Sequence, residues 1–335
     1  MTYVVGVDGG GTKTAAVVAD DQMRRVGEAI TGPSNGRSVG TDVASANIAA
    51  AVTQAIAAAQ LTLNDIGAIC LSIAGFDTDL DLPVPQGAVR QLGYLGPVIM
   101  ENDVVGAWAG ATEARAGLVV IAGTGATGLG MNEHGELWRT DGWDYLLGDA
   151  GSGYAVGRAG IHAAMRALDG RAAPTRLARE LYQAYGARTA PDMRRLVDSS
   201  RFGKFETAHF AVNVADAAEQ GDAAAQAILT EAGADLAENA VAIMRRLDVL
   251  GAPFTVSTIG GVFKSAAWVV PPFQAAVLQS APRASFRPPL HPPEIGAAIL
   301  ALRRGPQGDH GSWTLGTGQR RIQRSMSVDE ASPPA

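Results

Sequence analysis

The sequence predicts an α/β protein of two lobes, each built on a βββαβα order. Three observations predict it. Short strand-like runs separated by turn signals open the chain, the same order restarts near residue 117, and 335 residues exceed one ordinary domain.

The first runs, rich in β-branched residues, fall at 3–8, 14–19 and 24–30, divided by glycines and by Asp20-Asp21-Gln22, and so form a three-stranded meander. An alanine-rich stretch with apolar residues at helical spacing follows at 41–60, with Thr41 or Asp42 as N-cap. A buried strand at 68–73, a helix at 84–92, a strand at 98–100 and a helix at 104–111 complete the first lobe.

From Gly117 the pattern repeats. Leu118-Val119-Val120-Ile121-Ala122 is similar to Tyr3-Val4-Val5-Gly6-Val7, and each run ends in a Gly/Thr loop followed by a second strand, a turn and a third short run. The second turn is Asn132-Glu133-His134-Gly135. Helical sequence then dominates at 154–168, 173–185 and 222–247, before a strand at 254–259 and a last helix at 294–302. The expected division is 1–113 for the first lobe and 114–303 for the second, whose last helix has the option of packing on the first. Residues 304–335, rich in Gly, Ser, Pro and charge without periodicity, read as a flexible tail.

Charge and cysteine content exclude several classes. With 27 basic and 33 acidic residues the chain carries a net charge of -6, and the basic residues are scattered, so nucleic acid is not an expected partner. Cys70 is the single cysteine and lies in an apolar run, which excludes a disulfide framework and a cysteine-rich zinc or iron–sulfur site within one chain. The five histidines are dispersed without metal-ligand spacing. No apolar run approaches the roughly 20 residues of a membrane span, and no leader precedes the first strand, so a cytoplasmic location is expected.

Two glycine loops carry the chemistry. Gly123-Thr124-Gly125-Ala126-Thr127-Gly128 fits a dinucleotide fingerprint, but that motif needs a helix opening at the loop, and Leu129 to Gly135 reads as a hairpin. Asp8-Gly9-Gly10-Gly11-Thr12-Lys13-Thr14 fails the Walker pattern because Gly11 is followed by Thr12. What remains is a glycine hairpin whose backbone amides converge on an anion, with the side chains of Thr12, Lys13 and Thr14 as further donors. Asp8 would stand where a hydrated Mg2+ bridges phosphates. A third element, Gly260-Gly261, ends the run 254–259 and precedes helix-compatible sequence, a place where a ribose or flat ring approaches the backbone closely.

In this order the motifs resemble the superfamily that joins actin, sugar kinases and chaperone ATPases. More narrowly, the chain is similar to the N-acetylglucosamine kinase family, allied to the ATPase subunits of benzoyl-CoA reductase. The likeness rests on Asp8 to Thr14, Ser34-Asn35, Ala74-Gly75-Phe76-Asp77, Asn102-Asp103, Ala122 to Gly125, Gly142-Trp143, Gly148-Asp149-Ala150-Gly151-Ser152-Gly153-Tyr154, Ala218 to Asp222 and Ile259-Gly260-Gly261-Val262.

The resemblance implies two ribonuclease H-like lobes with a nucleotide cleft between them, ATP and Mg2+ as cofactors, a homodimer, and phosphorylation of an amino sugar to its 6-phosphate. It assigns Gly10, Gly11, Thr12, Lys13, Gly123, Thr124, Gly125, Gly260 and Gly261 to the nucleotide, and Asp8 to Mg2+ through water. Asp103, at the end of a strand, would be the general base, although it could equally cap the helix that follows. Asn35, Gly142, Trp143, Asp149 and Gly153 would meet the sugar; turn formation alone would also account for Asn35, and burial in the core for Trp143. Ala74 stands where relatives often carry serine and Ala150 where many carry glutamate, which leaves N-acetylglucosamine, glucosamine and N-acetylmuramic acid open. A reductase- or dehydratase-activating ATPase is disfavoured, because such activators hold a cluster through cysteines.

Overall fold

The computed structural model describes residues 2–199, 202–305 and 314–315. The tail expected to be flexible falls, from residue 306 onward and apart from 314–315, outside the described residues, as does His310.

The chain opens with β1 (Tyr3–Gly9), β2 (Thr14–Ala19) and β3 (Arg25–Thr31), then the single turn α1 (Gly36–Val39) and α2 (Thr41–Ala58). Next come β4 (Ile66–Ile73), α3 (Pro83–Leu92), β5 (Val98–Asn102) and α4 (Asp103–Thr112). A second meander follows as β6 (Gly117–Ala122), β7 (Ala126–Met131) and β8 (Glu136–Asp141). Five helices come after it, α5 (Gly153–Leu168), α6 (Leu177–Tyr185), α7 (Ala190–Val197), α8 (Lys204–Glu219) and α9 (Ala223–Arg246). The chain closes with β9 (Phe254–Ile259), α10 (Ala266–Ser280), β10 (Ala284–Phe286), α11 (Pro293–Arg304) and β11 (Thr314–Leu315).

The strand orders are β3-β2-β1-β4-β5 and β10-β9-β6-β7-β8-β11. Taken from the other end, the second contains β8-β7-β6-β9-β10, the order of the first, so the repeat seen in the paired glycine loops is a repeat of topology. In each sheet the meander is extended by parallel strands, β1 with β4, β4 with β5, β6 with β9 and β9 with β10. Two compact units result. One holds Met1–Gly117, Met131–Trp138 and the chain from Pro288; the other holds Leu118–Gly130 and Arg139–Arg287.

In the first unit α2 covers the sheet with a face of alanines, isoleucine and valine. Ile48 and Val52 meet Val5, Val7, Ile69 and Leu71, all fully buried. In the second unit α8 was not legible in the sequence, because Thr207, Phe210, Val212 and Val214 are modest helix formers. Tertiary packing supplies what propensity lacks, since Phe210, Val214, Ala217 and Ala218 are buried in a layer with α5 and α9. The helix expected from residue 173 begins later, at Leu177, because Pro174 interrupts it and Thr175 turns to donate its hydroxyl to Asp222 at 2.7 Å.

The last helix belongs to the first unit, where it lies against β1 and α4. The approach is close because glycines line it. A Cβ on Gly6 would stand 2.1 Å from the Glu294 carbonyl, and one on Gly296 would stand 1.9 Å from the Gly106 carbonyl and 2.3 Å from the Gly110 nitrogen. The colliding atoms are backbone, which cannot rotate away. At the far end Arg304 pairs with Glu101 at 2.6 Å in a largely buried contact. Replacing Gly296 with alanine is therefore expected to cost roughly 1–3 kcal/mol, read as a lowered urea midpoint. Gly251→Ala, at a position open to solvent, is the matched control and should leave the midpoint unchanged.

Candidate active site

In the first unit the site is built by register. β1 and β2 pair Gly9 with Thr14, and Gly10 N–H closes the hairpin on the Lys13 carbonyl at 2.9 Å. On its other side β1 runs parallel to β4, which sets Asp8 beside Ser72, and β4 sets Ser72 beside Glu101 and Ile73 beside Asn102. The 9–14 loop, the 74–77 loop and the start of α4 thus leave the sheet at one edge, where parallel α/β sheets bind ligands.

Asn102 is the N-cap of α4: its Oδ1 accepts from Val104 N–H at 3.1 Å, and its Nδ2 donates to the Phe76 carbonyl at 3.3 Å and to Asp77 at 3.0 Å. Asp103 is consequently the first helical residue and not the cap, which leaves its carboxylate at the positive end of the helix, half-buried. Ser72 fixes the junction from below, donating to the Asn102 carbonyl at 3.0 Å and accepting from Gly106 N–H at 3.1 Å.

Asp8 sits under this junction. Burial, then the negative charges of Asp103 and Glu294, push its carboxyl up to about 7, against an opposing pull from Lys13. Thr12 and Lys13 are exposed, whereas Thr14 is fully buried and spends its hydroxyl on the Gly32 carbonyl at 2.8 Å, so it is a fastener of the loop and no donor to an anion. Gly9 has no room for a side chain, since its Cβ would lie 2.5 Å from the buried Ser34 hydroxyl. Asn35 caps α1 by accepting from Arg37 N–H at 3.0 Å and borders Gly75, whose φ is +79°. Beside it a cavity of about 160 Å3 is lined by Arg37, Ile73, Ala74, Phe76, Leu80 and Val84, among others. Arg37 faces two carboxylates there, Asp81 at 3.3 Å and Asp77 at 3.7 Å.

In the second unit Gly123 N–H closes on the Gly125 carbonyl at 2.9 Å, and the chain continues into β7, so the loop joins two strands as the hairpin reading required. Its carbonyls turn toward α5: Gly123 accepts from Gly153 N–H at 2.7 Å and Thr124 from Tyr154 N–H at 3.1 Å. Gly153 is glycine because a Cβ would stand 2.8 Å from the Gly123 carbonyl. Gly260, at φ +117°, presses against Ala122, and its Cβ would lie 2.2 Å from that carbonyl. The helix expected straight after Gly261 is delayed by a 3-10 turn over Val262–Lys264.

Asp149 is 3% exposed and has φ +63°. One of its oxygens accepts from Ala126 N–H at 2.9 Å, at the base of the 123–125 loop, and the other pairs with Lys204 at 3.1 Å. Asp141 organises the loop before it, accepting from Gly142 N–H at 2.8 Å and Asp149 N–H at 2.9 Å through one oxygen. Trp143 is 62% exposed, which removes its reading as a core residue, and Tyr145, Leu146 and Leu147 beside it are exposed as well.

Within the first unit the structure thus brings together Asp8, Gly10, Gly11, Thr12, Lys13, Asn35 and Asp103, and within the second Gly123, Thr124, Gly125, Gly142, Trp143, Asp149, Gly153, Gly260 and Gly261. Glu294, Ser72, Asp141 and Lys204 escaped the sequence reading. Glu294 looked like an ordinary helix-start acid, and Lys204 opens a helix that propensity concealed; the spacing Gly203 to Glu206, which forms a capping pair at 2.9 Å, was the available signal. Cys70 is fully buried in β4, as its apolar surroundings indicated. Among the described residues no helix is long and apolar enough to cross a membrane, and no three Asp, Glu, His or Cys side chains converge on one metal position.

Comparison with known proteins is consistent with this geometry. The chain is 30% identical over 301 residues to the N-acetylmuramic acid/N-acetylglucosamine kinase of Clostridium acetobutylicum, covering 90% of this chain and 98% of that one. It is 28% identical to the N-acetyl-D-glucosamine kinase of Dictyostelium discoideum, covering 89% and 97%. A solved structure from Chromobacterium violaceum shares the fold at a TM-score of 0.70 and 24% identity, over 90% of this chain and 99% of that one. The sequence pattern of the BadF/BadG/BcrA/BcrD ATPase family matches residues 5–301, and the chain belongs to that family.

Proposed function

We propose that this protein transfers the terminal phosphoryl group of ATP to the 6-hydroxyl of N-acetylglucosamine, with Asp103 as general base. The observation that carries the reading is the placement of Asp103 at the first position of α4, held by Asn102 and Ser72, beside Asp8 and the 9–14 glycine hairpin. There the carboxylate faces the positive end of the helix, where negative charge is favoured, and is placed to accept a proton. As the sugar oxygen attacks the γ-phosphorus and the bond to ADP breaks, the hydroxyl proton passes to Asp103 and from there to water.

The proposed nucleotide donors are the amides of Gly10, Gly11, Gly123, Thr124 and Gly125, with Thr12 and Lys13; Gly260 and Gly261 offer backbone to the adenosine. Asp8 fits a hydrated Mg2+, an ion held through few carboxylates, its own waters and substrate phosphates. Such an ion would neutralise phosphate charge. Asn35, whose Nδ2 is not needed for capping, is proposed for the sugar hydroxyls, and Gly142 with Trp143 for its apolar face. Asp149 and Gly153, whose polar groups already serve the 123–125 loop, shape that contact.

The 160 Å3 cavity next to Asn35 supports the acetylated sugar over free glucosamine, because Ile73, Phe76, Leu80 and Val84 offer an apolar side to an acetamido methyl while Arg37, Thr41 and Asp81 make the rest of its lining polar. Against N-acetylmuramic acid, Arg37 stands between two carboxylates, so the cavity rim carries net negative charge and repels a lactyl carboxylate.

Kinetics with ATP, Mg2+ and the three sugars test this reading. N-acetylglucosamine should have the highest kcat/KM, and Asp103→Asn should lower kcat by about 10²–10⁴ with little change in KM. Sugar-independent ATP hydrolysis that survives undiminished in Asp103→Asn would overturn the assignment. A second test uses pH. A carboxyl whose folded value is raised stabilises the fold below its unfolded value near 3.8 and loses that contribution as pH rises through about 7. Asp8→Asn should therefore gain about 1–2 kcal/mol over wild type between pH 4 and 8 in urea titrations, the magnitude discounted for solvent screening at a half-buried site.

A further inference from the structure

Lys204 has no part in the reading above, yet it meets two carboxylates and an aromatic ring at once. Its Nζ pairs with Asp144 at 2.9 Å and with Asp149 at 3.1 Å, and stands 5.5 Å from the centre of the Tyr145 ring. The side chain is 23% exposed, so these contacts are weakly screened.

From Lys204 two routes lead to the same loop. Through Asp149 the path is short: that carboxylate accepts Ala126 N–H, and Ala126 follows Gly125 directly. Through Tyr145 it is longer: the Tyr145 ring packs on Tyr154 at 4.7 Å, and Tyr154 N–H donates to the Thr124 carbonyl at 3.1 Å. In the other direction Asp144 commands the 142–148 loop, since its carboxylate accepts Tyr145 N–H at 2.6 Å and its carbonyl accepts from Leu147 at 3.0 Å and Gly148 at 2.8 Å.

The loop needs such a fastener. Asp141, Gly142, Asp144 and Asp149 all have φ between 56° and 76°, and a non-glycine residue in that region carries a cost of order 1 kcal/mol or more. The exposed Trp143, Leu146 and Leu147 contribute no burial to offset it. Without the ammonium, Asp144 and the buried Asp149 would also repel each other across a shared space.

We propose that Lys204 is a positioning residue that joins the 123–125 loop to the 142–148 loop, so that nucleotide bound at the first orders the second for sugar. The nucleotide at the first loop and the sugar at the second rest on the function proposed above; the bridge between the loops rests on the contacts themselves. Because binding free energies are linked, sugar must then raise nucleotide affinity by the same factor that nucleotide raises sugar affinity.

Two measurements on the full chain test it. Hydrogen exchange with a non-hydrolysable ATP analogue alone should slow the amides of Tyr145, Leu147 and Gly148 in wild type and leave them unchanged in Lys204→Met. Titration calorimetry of the analogue with and without N-acetylglucosamine should give about tenfold mutual enhancement in wild type, near unity in Lys204→Met, and an intermediate value in Lys204→Arg. If Lys204→Met does not fold, Asp144→Asn, which loosens the same bridge and spares Asp149, should show the same two losses. Absence of nucleotide protection in wild type, or protection that persists in both variants, would overturn the proposal. Protection with no sugar binding would instead sink the sugar assignment and leave the loop linkage standing.

Discussion

The parallel register of β1, β4 and β5 is the constraint on which the first unit depends. Once Asp8 is set beside Ser72 and Ser72 beside Glu101, the three strands must end together, and everything that follows them emerges at one edge. The antiparallel meander cannot achieve this, since its strands end alternately at opposite edges. In the second unit β6 and β9 repeat the arrangement, with Ile121 beside Ile259, so the 123–125 loop and Gly260 emerge together. The serine hydroxyl that ties β4 to α4 then converts strand alignment into the position of a single carboxylate.

The two units handle buried negative charge in opposite ways. Asp149 is compensated on both oxygens, by a backbone N–H and an ammonium, and acts as part of the framework. Asp8 instead lies near two further carboxylates, Asp103 and Glu294, which with burial raise its carboxyl against the opposing pull of Lys13. Under the function proposed above, Asp8 is the place for a positive ligand, whereas the fully satisfied Asp149 is a joint.

Much of this was legible in the sequence, for reasons that can be named. Strands β1, β6 and β9 are rich in β-branched residues and end in or run into glycine, so local chemistry and tertiary role agree. The loops were legible because glycine is costly elsewhere, and three glycine elements in one order are hard to explain by turns alone. Glu294, Ser72 and Lys204 were not, since nothing local distinguishes a helix-start acid, a strand serine or a surface lysine from thousands of others. Their roles exist only after strands have paired and helices have packed. Thr14 shows the converse: it sits inside a phosphate-loop motif, yet burial and the Gly32 carbonyl give it a structural task.

The glycine contacts of α11 bear on how the chain becomes a protein at all. Gly6 presses against Glu294 and Ala298 of α11, though these residues lie near the two ends of the described chain. During synthesis the opening sheet must wait, with one face of β1 uncovered, until nearly the whole polypeptide has left the ribosome, whereas most of the second unit lies in one stretch, 139–287, and has its partners to hand sooner. The half that bears Asp103 is thus the last to close. A nascent chain stopped before Pro293 would carry all three glycine loops and still leave the β1 surface that α11 covers open to aggregation.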